Sequence, residues 1–446
     1  MKYLRLVLII TFISAFLLNK VSAVDVFFHS IALILMLVIT YRFPFMSNLG
    51  KYVVLLTFWI SLMLMPAFHL VRPLGGESIF GYTMTSVDYE RLLSFSYKVL
   101  IISCLSWYFF SLFQGKKRKV VYEYHPKQMS QTQVYSWFAL MFICSGLCLV
   151  LGIGKMGSMD SVILPFHLNG ILVLAKMILF PKVFAIIVEN IILCKKKVPR
   201  LYYLLFGAWA ILEVFTRLSK SAIMNAFLTV AIVLFLYYRP NIKSIIRIGA
   251  PIILAFLLLY PTVELMRSSG ESNLTESFNS SVKQSNKSIE DMILPPLNRT
   301  FMIPSYYAKD YPWVNHEQLF DFSKAPLLMT IGGAARYQTF VIDGFPDDSV
   351  NSSGTTGLQD PLLFGGYGLC FIVIVLLVAL AFLVDSLIEK RMISMYVMLF
   401  LMLWSFCNYQ NITSFTDSLG LQYFAMRIAA IWMAFQLNFK RKVVKC

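Results

Sequence analysis

The chain turns polar only once for any length. From Met266 it reads MRSSGESNLTESFNSSVKQSNKS (266–288), and it stays polar through paired prolines, aromatics and glycines as far as Gln359-Asp360-Pro361-Leu362. On either side of this interval lies a series of apolar spans of the length a hydrocarbon core requires, about 20 residues. A polar segment this long inside an ordered protein points to function. The chemistry is therefore expected on the 266–362 segment and on the helix ends that share its side of the membrane.

Composition agrees. Of 446 residues, 58% are hydrophobic and 14% are charged, and the mean hydropathy is +0.70. A soluble domain carries about 25% charged residues. This is the composition of an all-α polytopic membrane protein. The apolar spans read as Leu4–Leu18, Val26–Tyr41, Tyr52–Val71, Leu92–Phe113, Val134–Leu151, His167–Leu193, Leu201–Phe215, Ser221–Tyr238, Ile248–Leu265, Leu363–Val384, Met392–Cys407 and Leu421–Leu437. That gives twelve transmembrane helices in three segments: helices one to nine over 1–265, a large external loop over 266–362, and helices ten to twelve with a basic tail over 363–446. The first span also resembles a signal peptide, with Val21-Ser22-Ala23 suited to cleavage. Eleven further spans favour an uncleaved helix.

The formal charge of +16 needs no nucleic acid. With alternating spans and a cytoplasmic N-terminus, 22 of the 39 basic residues fall inside, among them Lys116-Lys117-Arg118-Lys119, Lys195-Lys196-Lys197 and Lys440-Arg441-Lys442. Lysine and arginine concentrate in cytoplasmic loops. Both termini are thus expected in the cytoplasm and the long loop outside. No cytoplasmic segment is long enough to fold alone, and no GxxxxGK[ST] motif occurs, which excludes an ATP-driven pump. Seven scattered cysteines, with Cys144 and Cys148 four apart on one helix face, form neither a disulfide framework nor a zinc pattern.

The long loop divides in two. Ser268–Ser288 is rich in Ser and Asn and poor in large apolar residues. From Ile289 the aromatics Tyr306-Tyr307 and Tyr311-Pro312-Trp313 suit an ordered cap at the membrane interface. Phe364-Gly365-Gly366-Tyr367-Gly368 is read as opening the tenth helix, either as close backbone approach to a ligand or as a flexible turn.

Ionisable residues inside apolar spans are functional candidates by default. Glu213 and Arg217 lie four apart on one face of the seventh span, followed by Lys220. They form either a simple intrahelical ion pair or a carboxylate orienting an anion-gripping guanidinium. Lys176, mid-span, is expected to face a cavity or a carboxylate, whereas Lys182 can snorkel. Arg267, Arg299 and Arg336 bring further cations to the loop and its base. A base for a hydroxyl could be His316, Asp343, Asp347, Asp360 or Glu264.

This pattern resembles the bacterial oligosaccharide repeat-unit polymerases, also called O-antigen or Wzy-type polymerases. The resemblance rests on the architecture, on Arg217-Leu-Ser-Lys220-Ser-Ala at a helix start, and on Asp360 leading into Phe364-Gly365-Gly366-Tyr367-Gly368. It implies a fold like that of the GT-C-like membrane glycosyltransferases, in the bacterial inner membrane. The implied substrates are oligosaccharides on undecaprenyl pyrophosphate at the periplasmic face. A terminal hydroxyl would attack the anomeric carbon of the growing chain and lipid pyrophosphate would leave, with neither metal nor cofactor. The resemblance also implies partnership with a chain-length regulator and a flippase. On this reading Asp343, Asp360 and His316 are the catalytic candidates, Arg217, Lys220, Arg267, Arg299 and Arg336 hold pyrophosphate, and Tyr306 and Tyr307 stack on sugars. The alternatives are an O-antigen ligase, and a flippase or secondary transporter of the lipid-linked unit.

Overall fold

The computed structural model describes residues 1–17, 21–68, 78–79, 82–83, 86–113, 121–124, 127–154, 162, 164–165, 168–217, 220–238, 358–390, 392–408, 426, 428–434, 436–437 and 441–444. The ninth expected span and nearly all of the 266–362 loop lie outside these residues.

The described chain is mostly helical. Helix α1 (Lys2–Phe12) continues into a π turn (Ile13–Leu17), followed by α2 (Ala23–Arg42), α3 (Leu49–Phe68) and α4 (Ser86–Phe113). Next come α5 (Gln131–Val150), α6 (Leu168–Leu174), a π turn (Ala175–Leu179), α7 (Phe180–Leu193), α8 (Arg200–Arg217) and α9 (Lys220–Tyr238). After the loop come α10 (Gln359–Glu389) and α11 (Ile393–Asn408). Five helical stretches are long and apolar enough to cross a membrane: Ala23–Arg42, Leu93–Phe113, Gln131–Val150, Leu168–Leu193 and Gly365–Ile388. Helix α8 carries Arg200, Glu213 and Arg217 within 18 residues, which makes it more polar than these. The five expose large apolar side chains such as Phe27, Ile143, Val150, Leu376 and Leu383. A water-facing surface seldom carries apolar area on this scale, whereas a multi-pass membrane protein presents it to lipid.

Two short antiparallel strand pairs add to the all-helical expectation. Strands β1 (Ser78–Ile79) and β2 (Tyr82–Thr83) pair locally, whereas β3 (Val121–Tyr124) pairs with β4 (Arg441–Val444), Val121 opposite Val444 and Tyr124 opposite Arg441.

The chain gathers into two compact units. The first contains α1–α4 and α10. Its core runs through Trp59, Trp107, Phe95, Phe58 and Ile374, joined by Leu403 and Cys407 of α11. Asp385 of α10 ties this unit to the start of α3. Its Oδ1 accepts the Gly50 N–H at 2.7 Å and its Oδ2 the Lys51 N–H at 3.1 Å. A carboxylate is well placed at a helix N-terminus, where backbone N–H groups lack intrahelical partners and the dipole is positive. The Lys51 ammonium lies 3.9 Å from Asp385 Oδ2, donates to Asn48 Oδ1 at 2.7 Å, and sits 4.1 Å from the Phe382 ring centroid. Between α2 and α4, the buried His29 ring donates from Nδ1 to the Asp25 carbonyl at 2.7 Å, while Nε2 meets the Ser96 hydroxyl at 2.6 Å.

Helix α10 differs from the expected tenth span at its start. It begins at Gln359 rather than Leu363, so Asp360 lies in its first turn together with Pro361, whose missing N–H costs nothing there. The glycine pair does not open the helix but interrupts it. Gly366 has φ 58° and ψ −152°, a conformation reserved for glycine.

The second unit contains α5–α9 with the first turns of α11. Ser130 and Gln133 form a capping box at the start of α5. Asn190 of α7 stands in for a strand partner to the segment before it, donating to the Lys127 carbonyl at 3.0 Å and accepting the Met129 N–H at 3.1 Å. Glu189 meets the start of α11, its two oxygens accepting the Ser394 N–H at 3.0 and 2.9 Å, while the Tyr237 hydroxyl donates at 2.9 Å.

Candidate functional site

The strongest polar constellation of the second unit lies where α5, the π turn and α8 meet. Helix α8 buries the face that carries Phe206, Trp209, Ala210, Glu213, Thr216 and Arg217. The spacing of three and four residues along this face is that of a single helical stripe. Its last turn therefore brings two ionisable groups into an apolar setting, Glu213 and Arg217 each 2% exposed.

The π turn supplies the counter-charge. A π turn admits one extra residue to the helical repeat and shifts the stripe that follows. Here it holds Lys176, 1% exposed, against α8. The ammonium lies 3.5 Å from Glu213 Oε1 and 3.4 Å from the Thr216 hydroxyl. From α5, the Ser145 hydroxyl donates to the same Oε1. Ser145 Oγ in turn accepts the Trp209 indole N–H at 2.9 Å, which commits its own hydrogen to the carboxylate.

The other oxygen is treated differently. Glu213 Oε2 is buried and no hydrogen-bond donor reaches it. The cost of leaving a buried acceptor unsatisfied is about 1–3 kcal/mol, more for a charged group. Such a group calls for an explanation.

Of the two sequence-based readings of Glu213, the simple intrahelical pair gives way to an interhelical one, since the carboxylate is held by Lys176 and Ser145 on other elements. Lys176 faces a carboxylate, one of the two surroundings expected for it. Lys182 does not snorkel; it lies inside the protein, 6% exposed. Arg217 closes α8 and Lys220 opens α9. Asp360 falls in the first turn of α10, in the other unit. His316, Asp343, Arg267, Arg299, Arg336, Tyr306 and Tyr307 lie outside the described residues, as do Asp347 and Glu264.

Sequence reasoning singled out Lys176 and Glu213 but missed Ser145 and Trp209. Nothing in a serine or tryptophan of an apolar span separates a network member from a packing residue. Among the described residues, all six cysteines are free thiols, and no group of three or more His, Cys, Asp and Glu side chains is placed to hold a metal ion.

No protein-family model, curated protein or solved structure matches the chain.

Proposed function

We propose that this chain is a membrane glycosyltransferase that polymerises oligosaccharide repeat units carried on undecaprenyl pyrophosphate. On this reading it works at the periplasmic face of the bacterial inner membrane, with twelve spans, both termini in the cytoplasm and a GT-C-like arrangement. The observation that carries the reading is the buried Arg217 guanidinium, one helical turn from the buried Lys176–Glu213 pair. Cations fixed in a medium of low dielectric stabilise a leaving pyrophosphate far better than cations in water. A guanidinium also matches phosphate oxygens two at a time. The polar 266–362 segment supports the reading from the sequence side. Its cations, Arg267, Arg299 and Arg336, and its tyrosines are assigned to the pyrophosphate and the sugars, with Arg217 and Lys220, three residues apart in the sequence, joining the cations.

The test begins with deletion of the gene in its native host, followed by separation of surface polysaccharide and lipid-linked intermediates. Loss of the polymer ladder, with lipid A-core still bearing a single repeat, is the expected outcome. Accumulation of long lipid-linked polymer without capped core would mean a ligase instead. An unchanged ladder would remove the reading and favour a transporter. In the complemented strain, Arg217→Ala and Arg336→Ala are expected to insert normally and abolish the ladder, and Arg217→Lys to restore it only in part. Full activity of both alanine variants would sink the cation assignment.

A further inference from the structure

We propose that Glu213 is the catalytic base, taking the proton of the attacking sugar hydroxyl on Oε2; the proposal rests on the polymerase reading above. Four buried carboxylates occur among the described residues: Asp25, Glu189, Glu213 and Asp385. Asp385 spends both oxygens on the start of α3, and Glu189 spends both on Ser394 and Tyr237. Asp25 accepts the hydroxyl of its own N-cap, Ser22, at 2.7 Å. Glu213 Oε2 is the one buried carboxylate oxygen among the described residues that no donor satisfies. It is also the one whose partner oxygen is fixed by side chains from two other elements, Lys176 and Ser145.

This is the arrangement a general base needs. The Trp209–Ser145–Glu213 chain and the Lys176 ammonium fix the carboxylate plane, so that no reorganisation is required when a hydroxyl arrives. The ion pair holds Oε1 at 3.5 Å from the ammonium and so leaves Oε2 as the oxygen that faces an incoming hydroxyl. Oε2 is buried and lacks a donor, so a single substrate O–H would satisfy it, and Arg217 lies one turn further along α8 for the phosphate end of the same reaction. In the step itself the acceptor O–H bond breaks and its proton moves to Glu213 Oε2. The freed electron pair forms the bond from that oxygen to the anomeric carbon. The bond from the anomeric carbon to the pyrophosphate oxygen breaks, and its electron pair leaves with the lipid pyrophosphate. The proton then passes from Glu213 to water. Lys176, Ser145 and Trp209 are positioning residues in this scheme.

The experiment uses the full-length protein in lipid nanodiscs with its lipid-linked repeat unit as donor and acceptor. If the wild-type protein forms no polymer, the polymerase reading fails. If it does, Glu213→Gln is expected to lose at least about 100-fold in kcat with KM nearly unchanged, the lower end of what a general base contributes. Sodium azide separates a base from a merely structural residue, because azide attacks the anomeric carbon with no proton to remove. Glu213→Gln is expected to release lipid pyrophosphate in azide at a rate close to the wild type. Wild-type kcat in Glu213→Gln overturns the assignment, and so does a loss that azide leaves unchanged. Should Glu213→Gln not insert, Glu213→Asp replaces it: a carboxylate set back by one methylene should lower kcat about 10-fold or more, and an unchanged kcat overturns the proposal.

Discussion

Asp385 and Glu213 have the same chemistry and the same nearly complete burial, and each stands within reach of a lysine. Their surroundings make them different objects. Asp385 meets two backbone N–H groups at the start of α3, so both its oxygens are used by the fold. Glu213 meets only side chains, all on one oxygen, and leaves the other without a donor. A carboxylate spent on a helix start is an architectural part, because the backbone it satisfies cannot be given up. A carboxylate held on one oxygen and left without a donor on the other serves no backbone, which is why the proposal above places the base there. The comparison separates two kinds of intramembrane charge that hydropathy alone treats alike.

Substitutions can break or sharpen this contrast. The largest effect is expected from Lys176→Met, which leaves Glu213 buried without its counter-ion. It should cost about 3–5 kcal/mol in denaturant unfolding from mixed micelles, with loss of activity. The double variant Lys176→Met/Glu213→Gln, neutral on both sides, should regain most of that stability and none of the activity; additive losses in the cycle would mean the two groups do not interact. Asp385→Ala comes next. It strands two helix-start donors and should cost about 2–3 kcal/mol, yet the fraction that folds should polymerise at the wild-type rate. A fall in specific activity would erase the distinction drawn here. Gly366→Ala forces a side chain onto a backbone that only glycine adopts and should cost about 2 kcal/mol, read as a lower melting temperature. The smallest change is expected from Ser145→Ala. It removes one donor from Glu213 and the acceptor of Trp209, for about 1–2 kcal/mol, together with a kcat loss well below that of Glu213→Gln.

Much of the helical layout was legible in the sequence, because the length of an apolar run and its flanking charges are local properties. The ends of α2, α5 and α8 fall within a few residues of the spans read from hydropathy. Errors arose where local and tertiary effects compete. Gly365-Gly366 reads as a helix opening because glycines often sit at helix ends, yet Pro361 and the residues around it already start the helix four residues earlier than expected. Five described stretches meet the length and hydropathy of a span where twelve spans were expected, partly because charge in α8 and the short apolar runs of α3, α9 and α11 dilute the signal. The Lys176–Glu213 pair was half visible. Each residue stood out as a charge in an apolar run, but their meeting depends on the register set by the π turn, which no periodic rule announces. Ser145 and Trp209 carried no signal, since their roles come wholly from neighbours distant in the chain.

The pairing of Val121–Tyr124 with Arg441–Val444 has a consequence for how the protein is made. Partners separated by roughly 300 residues cannot meet until the ribosome has delivered every intervening helix to the bilayer, and such non-local pairings form slowly. Until then the edge of β3 remains open, and an unpaired strand edge is a template for unwanted partners. The clasp thus waits on all the helices that lie between its two strands. A chain without β4 would leave the edge of β3 bare.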